Sequence, residues 1–252
     1  MLDFSKRKHG DVLVLFDIDG TLTLPRKTAP KEIYTMLDAL RKEYVIGTVG
    51  GSDFPKQKEQ IGDDVLDRFD FAFPQNGLDA YNSEEKLATQ NFAKFMGEDK
   101  IKALVNYCMV MLSKIDLPIK RGTFIEFRSG MINLSPIGRN CSQEEREAYA
   151  EYDAKHQIRE KIVKELSEQF KDFKLQFSIG GQISIDIFPE GWNKTYCLRH
   201  VEEYKFKEIH FFGDKTHKGG NDYEIFHDDN TVGHTVTSPQ DTIAQVTKLF
   251  LS

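Results

Sequence analysis

Two carboxylates separated by one residue, Asp17 and Asp19, have the clearest chemical potential in this sequence. They follow residues 12–16, a continuous apolar run, which predicts a strand buried on both faces of a parallel sheet. Open α/β sheets bind ligands at the carboxyl ends of their strands. Two neighbouring acids repel each other, and a divalent cation removes that cost. The pair therefore predicts a cation-binding site, and the simpler alternative is a strand that ends in an acidic turn.

A second polar segment, Gly50-Gly51-Ser52-Asp53, follows the strand predicted for residues 45–49. Glycines and a hydroxyl before a helix suit a phosphate group, because free backbone N–H groups and the helix dipole favour an anion. Ser52 is therefore a candidate phosphate ligand. Equally, Ser52 or Asp53 could cap the following helix, and the sequence leaves both interpretations open.

Lys194 and Asp214 are charged residues at two further element boundaries. Lys194 lies in the first turn of a helix predicted to begin at Trp192, where a cation opposes the helix dipole. We therefore expect Lys194 to have a partner other than the helix dipole. Asp214 follows the strand predicted for residues 209–213 and opens a loop that ends in Gly-Gly-Asn-Asp.

The pattern of predicted elements changes along the chain. Strands and helices alternate in residues 1–86 and again in 193–252, which predicts βαβ units and a parallel sheet. Residues 87–192 instead contain helices and two antiparallel hairpins. We therefore predict an α/β protein with a Rossmann-like core, built from the first and last segments, and an inserted α+β cap domain.

One predicted hairpin strand, residues 182–188, alternates strictly. Its isoleucines share one face, while Gln182, Ser184 and Asp186 share the other. The apolar face should pack on the helices of the cap. Ser184 and Asp186 could then hydrogen-bond sugar hydroxyls, or the polar face could be an ordinary solvent-exposed sheet surface.

Composition excludes several classes of protein. The 252-residue chain has a net charge of −6, from 34 basic and 40 acidic residues, and a pI of about 5.7. This charge argues against a nucleic-acid or membrane-surface binder, and no apolar run approaches the roughly 20 residues of a membrane span. The separated cysteines Cys108, Cys141 and Cys197 fit reduced thiols. The histidines match no zinc pattern. We expect a cytoplasmic protein.

The motif D-x-D-G-T at residues 17–21 resembles the haloacid dehalogenase superfamily of phosphoryl-transfer enzymes. Longer strings extend a resemblance to the eukaryotic phosphomannomutase family over nearly the whole chain, among them R-G-T-F-I-E-F-R-S-G-M-I-N-L-S-P-I-G-R, F-S-I-G-G-Q-I-S-I-D-I-F-P-E-G-W-N-K and F-F-G-D-K-T-H-K-G-G-N-D. The resemblance implies a cytosolic enzyme that interconverts mannose 6-phosphate and mannose 1-phosphate, feeding GDP-mannose synthesis. It also implies a haloacid-dehalogenase-type core, Mg²⁺, a hexose 1,6-bisphosphate (glucose or mannose) as activator, and a homodimer joined through the caps.

The same resemblance implies individual roles. Asp17 is the nucleophile that becomes an aspartyl-phosphate, and Asp19 is the general acid/base. Ser52 hydrogen-bonds the transferring phosphoryl group, and Lys194 contacts Asp17. The implied metal ligands are Asp17, Asp19 and Asp214 at one site and Phe226 (through its carbonyl), Asp228 and Thr231 at a second.

The substrate contacts that the resemblance implies are Arg26, Arg128, Arg139, Arg146, Ser184 and Asp186. An independent argument supports the three arginines of the predicted cap, since an anion site in an acidic protein requires a local basic cluster. Arg146, for example, lies in a first helical turn, where a cation is disfavoured. Arginine binds phosphate with bidentate geometry. The alternative for each arginine is a surface ion pair, and for Arg26 it is a solvated charge.

Two other functions remain as alternatives. A Mg²⁺-dependent sugar-phosphate phosphatase of the same superfamily would share the core motifs but would not require a site for a second phosphate. A non-catalytic sugar-phosphate sensor would not require Asp17, Asp19 or Asp214.

Overall fold

A computed structural model of the protein describes residues 2–25 and 27–252. The chain forms two compact units, one from the chain up to Thr89 together with Gly191–Ser252, and one from Gln90–Glu190. The predicted insertion, residues 87–192, encloses the second unit, and its assignment as a cap stays a prediction. Within the described part of the chain, no helix has the length and apolarity that a membrane span requires.

The elements follow one another in three segments. The first unit begins with β1 (His9–Phe16), α1 (Lys31–Glu43), β2 (Tyr44–Val49), α2 (Phe54–Ile61), α3 (Val65–Arg68), β3 (Phe71–Phe73), β4 (Asp79–Asn82) and β5 (Lys86–Thr89). The second unit contains α4 (Phe92–Met96), α5 (Glu98–Lys114), β6 (Ile125–Phe127), β7 (Ile132–Leu134), α6 (Gln143–His156), α7 (Ile158–Gln169), β8 (Leu175–Gly180) and β9 (Ser184–Pro189). The first unit is completed by β10 (Glu208–Gly213), α8 (Tyr223–Phe226), β11 (Val232–Thr235) and α9 (Pro239–Val246).

The first unit is built on a seven-stranded sheet with the order β11-β10-β1-β2-β3-β4-β5. Strands β11 to β3 pair in parallel, which confirms the predicted Rossmann-like core. The expectation of a wholly parallel sheet is wrong at one edge, where β4 and β5 are antiparallel. These strands are short, and β5 is largely exposed. Their polar sequence therefore lacks the apolar pattern from which strands are predicted.

Strand β1 is buried on both faces, as its continuous apolar run predicts. Val14 and Phe16 pack into a core that contains α1, whereas Leu13 and Leu15 pack with Phe71 on the other side of the sheet. All of these side chains are fully buried, and each contributes about 1.5–3 kcal/mol of hydrophobic stabilisation. The two cores hold the end of β1, where Asp17 follows, in a fixed position.

The second unit contains a four-stranded antiparallel sheet with the order β6-β7-β9-β8. A capping box opens α6, because the side chains and backbones of Ser142 and Glu145 bond each other reciprocally. Both predicted hairpins form, but β9 begins at Ser184, so that Gln182 lies in the turn. In the first of the two hairpins, β6 is only three residues long.

The helix predicted to begin at Trp192 is instead a 3-10 helix, Lys194–His200. The side chain of Asn193 caps it by accepting a hydrogen bond from the Thr195 N–H at 3.0 Å. The tighter winding places Lys194 at the first helical position, where its side chain is buried.

A half-buried histidine pair joins β10 to β11. Nδ1 of His210 and Nε2 of His234 are 2.9 Å apart. Burial, with repulsion from His210, lowers the pKa of His234 to about 4, and burial also lowers the pKa of His210. Because the ordinary histidine pKa is 6.5, the unfolded chain binds more protons than the folded chain below that pH. The neutral pair therefore stabilises the fold above about pH 6.5 and loses this contribution as the pH falls toward about 4.

We expect the unfolding temperature of a His234→Gln variant to depend less on acid than that of the wild type. The variant removes the group whose protonation is most strongly suppressed in the folded state, and other titrating groups contribute equally to both proteins. Scanning calorimetry between about pH 7 and about pH 4.5 measures the difference. Parallel curves for the two proteins would show that the pair does not contribute to acid sensitivity.

Candidate active site

Three carboxylates meet at the carboxyl edge of the parallel strands. Asp17 follows β1, and its N–H donates to the carbonyl of Phe212 on β10 at 2.9 Å. Asp214 follows β10, and Asp222 lies in the loop beyond it. One oxygen from each of Asp17, Asp214 and Asp222 lies within 4.8 Å of the others. The structure thus brings together two of the predicted metal ligands and adds Asp222, which we had not selected from the sequence.

Two glycines make room for these carboxylates. Gly20 has a φ of +84°, and a Cβ atom there would lie 2.3 Å from Oδ2 of Asp214. A Cβ atom at Gly213 would lie 2.6 Å from Oδ2 of Asp222. Glycine is therefore required at both positions for the acidic side chains to approach the strand ends.

Lys194 neutralises part of this negative charge. Its side chain is only 1% exposed, and Nζ donates to Oδ1 of both Asp17 and Asp222. The predicted contact with Asp17 is therefore present, and Asp222 is a second partner. Burial by itself lowers the pKa of Lys194, but attraction to the two carboxylates raises it overall. Lys194 is consequently charged, and the cluster of three acids and one base retains excess negative charge.

The electrostatics of the cluster suit a divalent cation. Burial, followed by repulsion from Asp222 and Asp214, outweighs the attraction of Lys194 and raises the pKa of Asp17 to about 7. Burial likewise raises the pKa of Asp214, whose Oδ1 atom is buried and accepts no hydrogen bond from the described residues. Carboxylate oxygens are the ligands that Mg²⁺ prefers. The residues present therefore fit a magnesium ion.

Asp19 is held separately from this cluster. Its Oδ1 atom accepts a hydrogen bond from Nε2 of Gln60 at 2.8 Å, and the same amide lies 3.3 Å from Oγ1 of Thr23. Gln60 is buried, so this contact fixes the carboxylate of Asp19. The carboxylate is not one of the three in the acidic cluster, and the metal-ligand role of Asp19 stays a prediction.

Ser52 lies at the end of β2, on the same edge of the sheet as Asp17. The capping role belongs to Asp53, whose Oδ1 accepts from the Lys56 N–H at 3.0 Å. Ser52 is half-buried, and its carbonyl accepts from the Gln75 N–H at 2.8 Å. Gln75 and Asn76 both have left-handed backbones, with φ of 50° and 63°. Such strain is concentrated at functional sites, and the phosphate contact of Ser52 stays a prediction.

The second predicted set of metal ligands lies near the amino ends of the parallel strands, opposite the acidic cluster at their carboxyl ends. Phe226 ends α8, and Thr231 directly precedes β11, which runs parallel to β10. Asp214, by contrast, directly follows β10. The Thr231 N–H donates to the carbonyl of Asp228 at 3.0 Å, and Oδ1 of Asp228 accepts from the Asn230 N–H at 2.9 Å. The three residues are therefore neighbours in one loop, and their metal binding stays a prediction.

The predicted arginine contacts of the second unit form a connected group. Nε of Arg128 lies 2.8 Å from Oε2 of Glu126, and Nε of Arg139 lies 3.1 Å from the same oxygen. Nη2 of Arg146 donates to the carbonyl of Arg139 at 2.9 Å. Three of the predicted phosphate ligands therefore converge on β6 and the segment after β7. Arg26 lies outside the described residues.

The predicted hydroxyl-binding residues are also in this sheet. Oγ of Ser184 donates to the carbonyl of Gly180 at 3.0 Å. Oδ1 of Asp186 accepts from Nδ2 of Asn133 at 2.6 Å, and Oδ1 of Asn133 accepts from Nη1 of Arg139 at 2.6 Å. Asn133 thus links Asp186 to the arginine group, and we did not predict this link.

Comparisons with known proteins identify the class of fold. A solved structure of N-terminally truncated, IMP-bound IMP-nucleotidase from Plasmodium falciparum superposes with a TM-score of 0.64 at 17% identity, over 96% of this chain and 69% of that chain. At this identity the likeness concerns the fold alone. The shared fold agrees with the predicted α/β protein with a Rossmann-like core.

Sequence comparisons identify the family. The model of the family described as eukaryotic phosphomannomutase matches residues 33–252. A phosphomannomutase of Oryza sativa subsp. indica is 56% identical over 246 residues, which cover 98% of each chain. One of Saccharomyces cerevisiae is 56% identical over 248 residues, again with 98% of each chain covered. The chain belongs to the eukaryotic phosphomannomutase family.

Proposed function

We propose that this protein interconverts mannose 6-phosphate and mannose 1-phosphate through an aspartyl-phosphate and a hexose 1,6-bisphosphate. The observation that carries the proposal is the buried nucleophile candidate Asp17, which contacts Lys194 at the end of β1. Family membership over residues 33–252 supports the mutase over the phosphatase alternative. The product supplies GDP-mannose synthesis, and we place the enzyme in the cytosol.

Asp17 and Asp19 divide the chemistry between them. An oxygen of Asp17 forms the new bond to phosphorus, and the bond between phosphorus and the sugar oxygen breaks. Asp19 gives a proton to that sugar oxygen and takes it back in the reverse transfer. Lys194 holds Asp17 in place and balances part of its charge.

Mg²⁺ is the cation that we propose for the acidic cluster, with Asp17, Asp19 and Asp214 as its ligands and Asp222 beside them. When bound, it supplies positive charge that keeps Asp17 ionised and neutralises the phosphate. We further propose that Phe226, Asp228 and Thr231 form a second metal site.

The remaining predicted residues bind the substrate. Ser52 hydrogen-bonds the transferring phosphoryl group, and Ser184 and Asp186 bind sugar hydroxyls. The phosphate group that does not react is bound by Arg26, Arg128, Arg139 and Arg146. This division of the two phosphates is what a mutase requires and a phosphatase does not.

We also propose a homodimer joined through the second unit. Exposed apolar side chains support it: Met109 and Val110 on α5, together with Phe95 and Phe127, have about half of their surface exposed or more. Exposed apolar side chains of this size are candidates for the dimer interface, because contiguous apolar patches mark interaction surfaces.

We expect mannose 1-phosphate turnover to depend on added hexose 1,6-bisphosphate. Asp17 must carry a phosphoryl group before it can act on a monophosphate, and a bisphosphate supplies that group. The assay follows mannose 6-phosphate and inorganic phosphate together, with and without the activator. A phosphatase would instead release inorganic phosphate in step with substrate loss and would form no mannose 6-phosphate.

We expect Arg139→Ala and Arg146→Ala to separate mutase from hydrolase activity. A hydrogen bond to a charged group contributes about 1.5–3 kcal/mol, so mutase kcat/KM should fall roughly ten- to a hundredfold. Hydrolysis of a simple phosphate ester, which has no second phosphate, should fall less or rise. Arg121→Ala is the control, because this exposed arginine pairs with Glu145 at the surface. Equal losses of both activities would instead indicate that the two arginines are structural.

A further inference from the structure

We propose that Asn133 is a positioning residue that fixes Arg139 and Asp186 relative to each other. One ligand would then have its phosphate and its sugar hydroxyls bound at a set separation. This inference rests on the proposed function, under which Arg139 and Asp186 contact the substrate.

Asn133 occupies the centre of the polar face of the second unit's sheet. It lies on β7, opposite Glu126 on β6 and opposite Asp186 on β9. Residues paired across strands share one face, so these three polar side chains form a row. The neighbours Ile132 and Leu134 point to the other face and are buried. Asn133 is itself only 2% exposed, which is unusual for an amide and requires that its hydrogen bonds be made.

The two hydrogen bonds of Asn133 determine its residue type. Its Oδ1 accepts from Nη1 of Arg139 and its Nδ2 donates to Oδ1 of Asp186, each at 2.6 Å. A guanidinium group only donates and an ionised carboxylate only accepts. A short neutral amide therefore satisfies both at once. An aspartate would repel Asp186, and an apolar residue would leave two charged groups without this bridge.

The bridge also sets the orientation of the guanidinium group. Nε of Arg139 lies 3.1 Å from Oε2 of Glu126, and Nη1 donates to Asn133. Two of its three nitrogens are thus committed within the protein, and because the group is planar, the direction of the third is fixed. Without Asn133, Arg139 and Asp186 could turn to each other or to water, and neither would be oriented for a ligand.

The test compares wild type, Asn133→Ala and the control Asn140→Ala, which removes an exposed amide from the same unit. For mannose 1-phosphate we expect Asn133→Ala to lower kcat/KM about ten- to a hundredfold, mainly through KM. The preference for mannose 1-phosphate over glucose 1-phosphate should weaken, because Asp186 is no longer oriented to hydrogen-bond the sugar hydroxyls. Hydrolysis of phenyl phosphate, which has no sugar, should change by less than about twofold. A merely structural role would lower all three activities together.

A second variant protects the test against poor folding of the first. Asn133→Asp combined with Asp186→Asn keeps both hydrogen bonds but moves the carboxylate to position 133. We expect it to retain the wild-type unfolding midpoint and to lose the sugar preference. Wild-type KM and sugar preference in Asn133→Ala would overturn the role of Asn133. A KM in the double variant as high as that expected for Asn133→Ala would also overturn it, because the double variant retains the bridge. If wild type itself does not isomerise mannose phosphates, the proposed function fails instead.

Discussion

Asp17→Asn should abolish mutase turnover, with a loss of about 10⁴-fold or more, because the nucleophile is removed. An amide cannot form the aspartyl-phosphate. The other two described carboxylates of the acidic cluster lie after β10 and do not occupy the position of Asp17. Intact-protein mass spectrometry after brief exposure to hexose 1,6-bisphosphate should show a phosphoryl adduct in wild type and none in the variant. An adduct that persists in Asp17→Asn would exclude Asp17 as the nucleophile.

The fold of this variant should be intact. Burial and the carboxylates of Asp222 and Asp214 already raise the pKa of Asp17 to about 7, so its charge is disfavoured in the folded state. The neutral isostere relieves that repulsion and leaves the Lys194–Asp222 ion pair in place. We therefore expect an unchanged or higher unfolding temperature, which separates loss of chemistry from loss of structure.

Asp19→Asn is the matched control, two residues further along the chain. It retains the nucleophile but removes the proposed proton donor, which contributes about 10²- to 10⁴-fold. The phosphoryl adduct should therefore still form in this variant, although turnover falls. Absence of the adduct from both variants would show that the assay reports binding rather than chemistry at Asp17.

Asp17 could be predicted from the sequence because its determinants are local. The apolar run of β1 encodes a strand buried on both faces, and the residue that follows such a strand is placed at the ligand-binding edge. The contact with Lys194 spans 177 positions. A lysine in a first helical turn predicts only that a partner exists, and the resemblance to the superfamily identified that partner as Asp17. In both cases the local sequence indicates a charged side chain that needs an oppositely charged partner.

Asp222 could not be selected in the same way. It lies in a glycine-rich polar loop, where an exposed side chain is the ordinary expectation. Its burial arises because the loop folds back, so that Oδ2 of Asp222 accepts from the Lys215 N–H at 2.9 Å. Asn133 has a similar explanation, since its partner Asp186 lies on β9 and its partner Arg139 lies in the segment after β7. The roles of both residues depend on hydrogen bonds to groups that the fold brings close, and no local periodicity in the sequence indicates those bonds.

Lys194→Met should cause the largest loss of stability among single substitutions in the site. Methionine keeps most of the side-chain length but removes the cation from a cluster of three carboxylates, of which Asp17 and Asp222 are buried. Breaking a buried ion pair in this way costs about 3–5 kcal/mol. For a chain of this size that corresponds to a fall in unfolding temperature on the order of 10 °C.

The pH dependence of that loss has a definite sign. Without Lys194, the folded-state pKa of Asp17 rises further, because an attraction that lowers it is removed, while its unfolded value stays ordinary. The unfolded chain then binds fewer protons than the folded chain, so the variant becomes less stable as the pH rises. Below the ordinary aspartate pKa, where Asp17 is protonated in either state, the variant should approach wild-type stability.

Three further measurements decide whether the cluster's charge is the cause. Lys218→Met removes an exposed lysine from the same loop as Asp222 and should leave the unfolding temperature unchanged. Adding Asp222→Asn to Lys194→Met should recover part of the loss, because one uncompensated charge is removed. Mg²⁺ should stabilise Lys194→Met more than wild type, since a cation that binds only the folded state adds stability by mass action. If Lys194→Met melts like wild type at neutral pH without Mg²⁺, the buried charges are balanced by another means, and the electrostatic argument for a cation in the cluster is wrong.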